Sequence, residues 1–176
     1  MSLEAILKET IREVPDFPKK GVNFKDITTI LLNPALSSRV SRELTDPWRT
    51  SHVNKVIGIE SRGFLFGPQI AAELDAGFIL LRKKGKLPPP TTEISYSLEY
   101  GEATIEMVKG AVEYGDRVLI HDDLLATGGT ASAAARLVQQ LGAEVAGFSF
   151  LIELDFLNGR QELMNFSGNV SSIVHY

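Results

Sequence analysis

Residues 118 to 131 read VLIHDDLLATGGTA. A mostly apolar run leads into two adjacent carboxylates, Asp122 and Asp123, and then into the small residues Ala126, Thr127, Gly128, Gly129 and Thr130. A carboxylate can accept two hydrogen bonds on each side, which suits vicinal sugar hydroxyls. Backbone N–H groups at a helix start point outward unpaired and favour an anion. Glycine lets a phosphate approach those groups closely, and threonine hydroxyls add donors. Carboxylates would repel a phosphate, so acids and loop must serve different parts of one ligand. The reading is a ribose held by Asp122 and Asp123, with its phosphate held by residues 126–130. A plain strand-to-helix turn with capping residues is the simpler alternative. The Walker P-loop pattern and the dinucleotide fingerprint are both absent.

These residues need a scaffold. Apolar runs at KVIGIE (55–60), GFILLR (77–82), RVLIHD (117–122) and VAGFSFLIEL (145–154) read as buried strands, with SSIVHY (171–176) a shorter last one. Helical patterns alternate with them. One holds Leu3, Ile6, Leu7, Ile11 and Val14, stopped by Pro15; one starts at Asn33-Pro34 and runs to about Leu44. A third follows SRGF to about Leu74, and a fourth carries Ala134, Leu137, Val138 and Leu141 on one face. Residues 16–28 look irregular, broken by Pro18 and Gly21. Residues 93–108 suggest two strand arms around a loop at Leu98 to Gly101. Strands apolar throughout and alternating with helices predict an α/β fold with a central, mainly parallel sheet flanked by helices. Ligands of such sheets bind beyond the carboxyl ends of the strands, where Asp122 and Asp123 are expected.

The chain has 176 residues, the size of one domain. It contains no cysteine, which excludes disulfides, thiolate metal sites and a thiol nucleophile. Its net charge of −4 argues against a nucleic-acid partner. Glu4, Lys8 and Glu9 interrupt any signal-like apolar run, and no apolar stretch is long enough for a membrane span. A cytoplasmic location with no membrane partner is the expectation.

The segment VLIHDDLLATGGTA resembles the phosphoribosyl pyrophosphate motif of type I phosphoribosyltransferases, and its LLATGGT form is similar to the adenine-specific family. DFPKKGVNFKDIT, ESRGF, RKKGKLP, YSLEYG and LIELDFLNGR agree with that narrower match, in family order and over nearly the whole chain. The resemblance implies the type I phosphoribosyltransferase fold as a single domain over 1–176, with a small N-terminal hood (about 1–32) and a mobile lid hairpin (about 83–105). It implies transfer of phosphoribose from phosphoribosyl pyrophosphate to adenine, giving AMP and pyrophosphate. It also implies Mg²⁺, held mainly by substrate and water rather than by protein ligands, and a homodimer.

The resemblance assigns roles to particular residues. Asp122 and Asp123 hold the ribose near the developing positive charge, and Ala126, Thr127, Gly128, Gly129 and Thr130 bind the 5′-phosphate. Ser61, Arg62, Gly63, Arg82, Lys83, Lys84 and Lys86 serve the pyrophosphate, although a basic run is more often a solvated face. Glu99 on the lid helps take the proton from the attacking ring nitrogen, and Tyr100 seals the site. Phe24 stacks on adenine opposite Leu124, backbone groups of Val22 and Asn23 read the purine edge, and Lys25 lies close. The chain departs from the family pattern in places. Glu60 stands for an aspartate, Lys25 and Lys84 stand for arginines, and LPPP replaces Pro-Gly. His121 is unusual and reads as a strand residue rather than a catalyst. A 6-oxopurine phosphoribosyltransferase and a phosphoribosyl pyrophosphate-binding regulator are the competing readings; the hood, YSLEYG and the acidic net charge weigh against them.

Overall fold

A computed structural model describes residues 1–98 and 101–176 of the chain. Helix α1 spans Leu3–Thr10, capped by the Ser2 hydroxyl, which accepts from the Ala5 N–H, and it buries Leu3 and Leu7. The helical spacing had run on through Ile11 and Val14. Instead the helix stops at Thr10, and Arg12–Pro15 form strand β1, antiparallel to β2 at Asn23–Asp26. Cross-strand pairing overrides the local pattern here. Arg12 meets Asp26 at 2.6 Å, and Val14 stands opposite Phe24. The segment read as irregular therefore contains a strand. After α2 (Thr28–Leu31), α3 runs over Pro34–Thr45, and the Asn33 side chain accepts from the Leu36 N–H as the sequence predicts.

The remaining elements build a seven-stranded sheet in the order β5-β6-β4-β3-β7-β8-β9. In chain order they are β3 (Lys55–Ile59), α4 (Gly63–Glu73), β4 (Gly77–Lys83), β5 (Thr91–Leu98), β6 (Gly101–Val108) and β7 (Arg117–Leu125). Then come α5 (Gly129–Gln140), β8 (Glu144–Glu153), α6 (Gly159–Leu163) and β9 (Val170–His175). β3, β4, β7, β8 and β9 pair in parallel, while the β5–β6 hairpin joins β4 antiparallel through β6. Strands buried on both faces account for the unbroken apolar runs. One apolar cluster packs α5 against the sheet. The other packs α1, α3 and α4 on the opposite face, so residues of the N-terminal segment share a core with the sheet.

β3 pairs with β4 on one side and β7 on the other, so the strand order reverses between β3 and β7. Ligand sites of open parallel sheets lie outside the strand ends at such a reversal. Both ESRGF and the acidic pair fall there. No helix among the described residues is long and apolar enough to cross a membrane.

Candidate active site

β7 runs three residues further than the sequence suggested. Its partner β8 is ten residues long, and it carries the ladder on through Asp122, Leu124 and Leu125. On the other side β3 pairs with β7 only as far as His121. The two aspartates therefore extend past their neighbour's end and face the reversal point with one edge unpaired. Asp122 Oδ1 accepts the Asp123 N–H at 2.8 Å. Asp123 is buried, and its Oδ2 lies 2.7 Å from Arg62 Nε, although no N–H is aimed at that oxygen. Burial and the charge of Asp123 hold Asp122 well above the usual carboxylate range. Burial raises Asp123 as well, against the opposing pull of Arg62.

Residues 122 and 124–131 line an open hollow, with Phe150 at its base. Gly128 and Gly129 are there for different reasons. Gly128 has φ +84°, and a Cβ on it would stand 2.9 Å from the Gly159 carbonyl oxygen. Gly159 in turn has no room for a Cβ against the carbonyl oxygen of Ala126. The start of α6 thus backs the loop from behind, a support the sequence did not reveal beyond the Asn158-Gly159 turn signal. Gly129 has an ordinary φ, and a Cβ there would meet only Thr127 Oγ1, at 4.0 Å. Its bareness serves no packing need and leaves the first turn of α5 open. Thr127 is exposed, Thr130 half-buried, and the Thr130 hydroxyl lies 3.0 Å from that of Tyr96 on β5.

Arg62 ties two expected regions together. Its guanidinium lies 4.6 Å from the Phe24 ring centroid while its Nε contacts Asp123. Phe24 packs edge-on against Phe17 at 5.2 Å, and with Arg12, Val14 and Asp26 these rings line an almost wholly apolar cleft. Gly63 begins α4, and a Cβ there would press on the His121 carbonyl at 2.8 Å, so its bareness lets α4 approach β7. Ser61 is exposed, after a cis Glu60–Ser61 peptide.

Other expected base-site residues are less directly placed. Lys25 points to the opposite face of the hairpin. Its ammonium is buried against Glu13 at 2.5 Å and over the Tyr176 ring at 3.6 Å. The Asn23 side chain donates to Glu13. Both backbone groups of Val22 are used in the turn before β2, the N–H by Lys19 and the carbonyl by Phe17. Leu124 is half-buried in the lining of the hollow, not of the Phe24 cleft.

The basic run is tied down by acids. Glu60 accepts from Lys86 Nζ at 2.7 Å, the Lys83 N–H at 2.9 Å and Arg82 at 3.2 Å. Burial alone would raise its carboxyl; these partners outweigh that and bring it down to about 2. Lys84 pairs with Glu93. Among the described residues only Lys83 of the four cations makes no ion pair. Buried Glu106 accepts the N–H groups of Gly85, Lys86 and Leu87 and the Thr91 hydroxyl, which fixes the shape of the turn. Sequence reading missed Glu106, although a carboxylate between Ile105 and Met107 on a strand was its signal. Glu99 and Tyr100 lie outside the described residues. His121 is fully buried with its Nδ1–H donating to the Ser149 carbonyl, and burial lowers it to about 4, so it is a neutral strand residue as read.

One strand-order reversal therefore gathers a buried acidic pair, a bare helix N-terminus, a guanidinium and an aromatic cleft. Comparison with known proteins agrees with that chemistry. The family model for the phosphoribosyl transferase domain matches residues 28–164. An adenine phosphoribosyltransferase of Koribacter versatilis is 50% identical, over 97% of this chain and 92% of its own. One from Sorangium cellulosum is 53% identical, over 97% and 86%. The crystal structure of the Rhodothermus marinus adenine phosphoribosyltransferase superposes with a TM-score of 0.93 at 51% identity, covering 99% of this chain and 98% of that one. The Saccharomyces cerevisiae enzyme, solved with an imino-altritol bisphosphate and adenine, gives 0.88 at 38%, covering 97% and 98%. With about half its residues shared over nearly full length and the same fold, the chain belongs to the adenine phosphoribosyltransferase family.

Proposed function

We propose that the chain transfers the 5-phosphoribosyl group of phosphoribosyl pyrophosphate to adenine, yielding AMP and pyrophosphate. The observation that carries this reading is Arg62, which touches Phe24 with one part of its guanidinium and Asp123 with another. It brings a base-stacking wall within one side chain's reach of the ribose acids. The 5′-phosphate lies on the first turn of α5, where the N–H groups of residues 128–130 and the Thr127 and Thr130 hydroxyls donate to it. Asp122 and Asp123 accept the ribose hydroxyls and offset positive charge as the sugar becomes cation-like. Arg62, Lys83 and the N–H groups of Ser61 to Gly63 receive the departing pyrophosphate. Arg82, Lys84 and Lys86 join them by exchanging Glu60 and Glu93 for phosphate oxygens. Phe24 stacks on adenine, with Leu124 closing the sugar side. Asn23 and the second lone pair of the Val22 carbonyl read the purine edge, and Lys25 acts by holding the hairpin from its far face. Glu99 takes the proton from the attacking nitrogen, and Tyr100 excludes water.

The acidic pair also suits Mg²⁺. Its donors are hard oxygens, although Asp123 Oδ2 already lies 2.7 Å from the Arg62 guanidinium and would have to exchange that partner for the ion. Two carboxylates are too few to bind the ion alone, so substrate oxygens and water would complete its shell. When bound, Mg²⁺ neutralises charge on the leaving pyrophosphate. The proposal extends to a homodimer working in the cytoplasm, on family likeness. Incubation with phosphoribosyl pyrophosphate, Mg²⁺ and adenine, hypoxanthine or guanine tests the reading, with nucleotides resolved by chromatography. AMP is the expected product. No product from adenine, or an equal yield from hypoxanthine, would reject it.

A further inference from the structure

We propose that Tyr96 is a positioning residue that ties the β5–β6 hairpin to the occupied 5′-phosphate cradle through Thr130. This rests on the assignment of residues 126–130 to the 5′-phosphate. The hairpin is anchored unevenly. β6 pairs with β4 only at Glu106 and Ile105, and the Lys84 N–H adds one bond to the Thr104 carbonyl. Beyond these, Ser95 and Thr104 bond to each other across the hairpin. Among the described residues, the Tyr96 hydroxyl makes the one side-chain hydrogen bond from this outer part to the rest of the protein, 3.0 Å from Thr130 Oγ1. The ring itself is half-buried against the α5-side core.

The direction of that bond is open while both partners are hydroxyls, because each can donate or accept. A phosphate oxygen only accepts. Once Thr130 donates its hydrogen to the phosphate, its oxygen must accept from Tyr96, and the chain runs Tyr96 O–H to Thr130 O–H to phosphate. Hydrogen bonds aligned in this way polarise and strengthen one another, and an anion at the acceptor end strengthens them further. Phosphate binding therefore tightens the hold on β5, and the hold on β5 tightens phosphate binding. Tyr96 stands three positions before Glu99, so the link acts on the strand that leads to the proposed proton acceptor.

The test uses titration calorimetry with two probes, ribose 5-phosphate and inorganic pyrophosphate. Tyr96→Phe keeps the packed ring and removes only the hydroxyl. It is expected to weaken ribose 5-phosphate about five- to tenfold, the worth of one hydrogen bond to a charged chain. Pyrophosphate, which does not reach Thr130, is expected to change by less than about twofold. Thr130→Ser retains the link, so Tyr96→Phe has its full effect in that background. Thr130→Val removes it, and Tyr96→Phe then has no further effect. Equal ribose 5-phosphate affinity in wild type and Tyr96→Phe overturns the proposal, as does an equal loss for both probes. If wild type fails to bind ribose 5-phosphate, or if Gly129→Val binds it as tightly as wild type does, the phosphate assignment itself fails, and this proposal with it.

Discussion

Gly128 and Gly129 are adjacent in sequence but should respond oppositely to the same added methyl group. Alanine at 128 must hold φ near +84° and place its Cβ 2.9 Å from a backbone oxygen of Gly159. The left-handed conformation and the overlap together cost about 2–4 kcal/mol. For a domain of this size that lowers Tm by roughly 5–15 °C. Alanine at 129 meets nothing closer than 4.0 Å and has an ordinary φ. Its effect on Tm is expected to be nil or a gain of about 0.4–1 kcal/mol, because the unfolded chain loses freedom. On the proposed assignment of this loop to the 5′-phosphate, that methyl would crowd the ligand. Loss of one charge-assisted N–H bond costs about 1.5–3 kcal/mol, a rise of roughly ten- to a hundredfold in KM for phosphoribosyl pyrophosphate. KM for adenine should move far less, and Gly129→Val should widen the gap. Thermal unfolding with initial-rate kinetics on both substrates decides the matter. A stable Gly129→Ala protein with unchanged KM for phosphoribosyl pyrophosphate would refute the reasoning, and so would two variants that behave alike.

Four further outcomes are expected. Asp123→Asn should fold normally and lose turnover by about tenfold to a thousandfold, roughly 1.4–4 kcal/mol of transition-state stabilisation; wild-type kcat in well-folded protein counts against the ribose role. Adenine should be preferred to hypoxanthine and guanine by on the order of hundredfold in kcat/KM, because a mismatched purine edge leaves buried polar groups unpaired. Phe24→Ala should weaken adenine binding while keeping most of that preference, and a collapse of the preference would place selectivity in stacking. His121 has an ordinary value of 6.5 when unfolded and about 4 in the fold. The unfolded chain takes up the proton first, so stability is complete above about 6.5 and falls as pH drops toward 4, by roughly 3 kcal/mol. His121→Val should flatten that slope in denaturant titrations at several pH values; an unchanged slope removes the histidine from the acid response.

The sheet and its ligand end were legible because burial on both faces writes itself as unbroken apolar runs, as in KVIGI and RVLI. The Asn33-Pro34 helix start was equally plain, since capping is local chemistry. Residues held by distant partners were not. β1 and β2 are four residues each; β1 is largely exposed and β2 buries the charged Lys25 and Asp26, so no apolar alternation marked them, and Phe24, Lys25 and Arg12 are set by Arg62, Tyr176 and Asp26. The true end of β7 depends on the length of β8. The family resemblance assigned the basic run to the leaving group, whereas the Glu60 and Glu106 contacts that shape that run were not legible, because they are long-range. Gly128 and Gly129 looked equivalent until Gly159 was seen behind one of them.

The reversal of strand order between β3 and β7 also bears on how the molecule is made. Adjacent in the sheet, these strands are far apart along the chain: Asn54 and Arg117, which bond at their bases, are separated by 63 positions. Every residue pair that spans the acids and the guanidinium is therefore a long-range contact, and such contacts form late because closing the intervening chain costs entropy first. β3, α4, β4 and the β5–β6 hairpin must all be synthesised before β7 emerges to dock beside β3. A nascent or refolding chain can thus be rich in helix and hairpin while catalytically silent. Recovered activity should track the slowest phase of refolding.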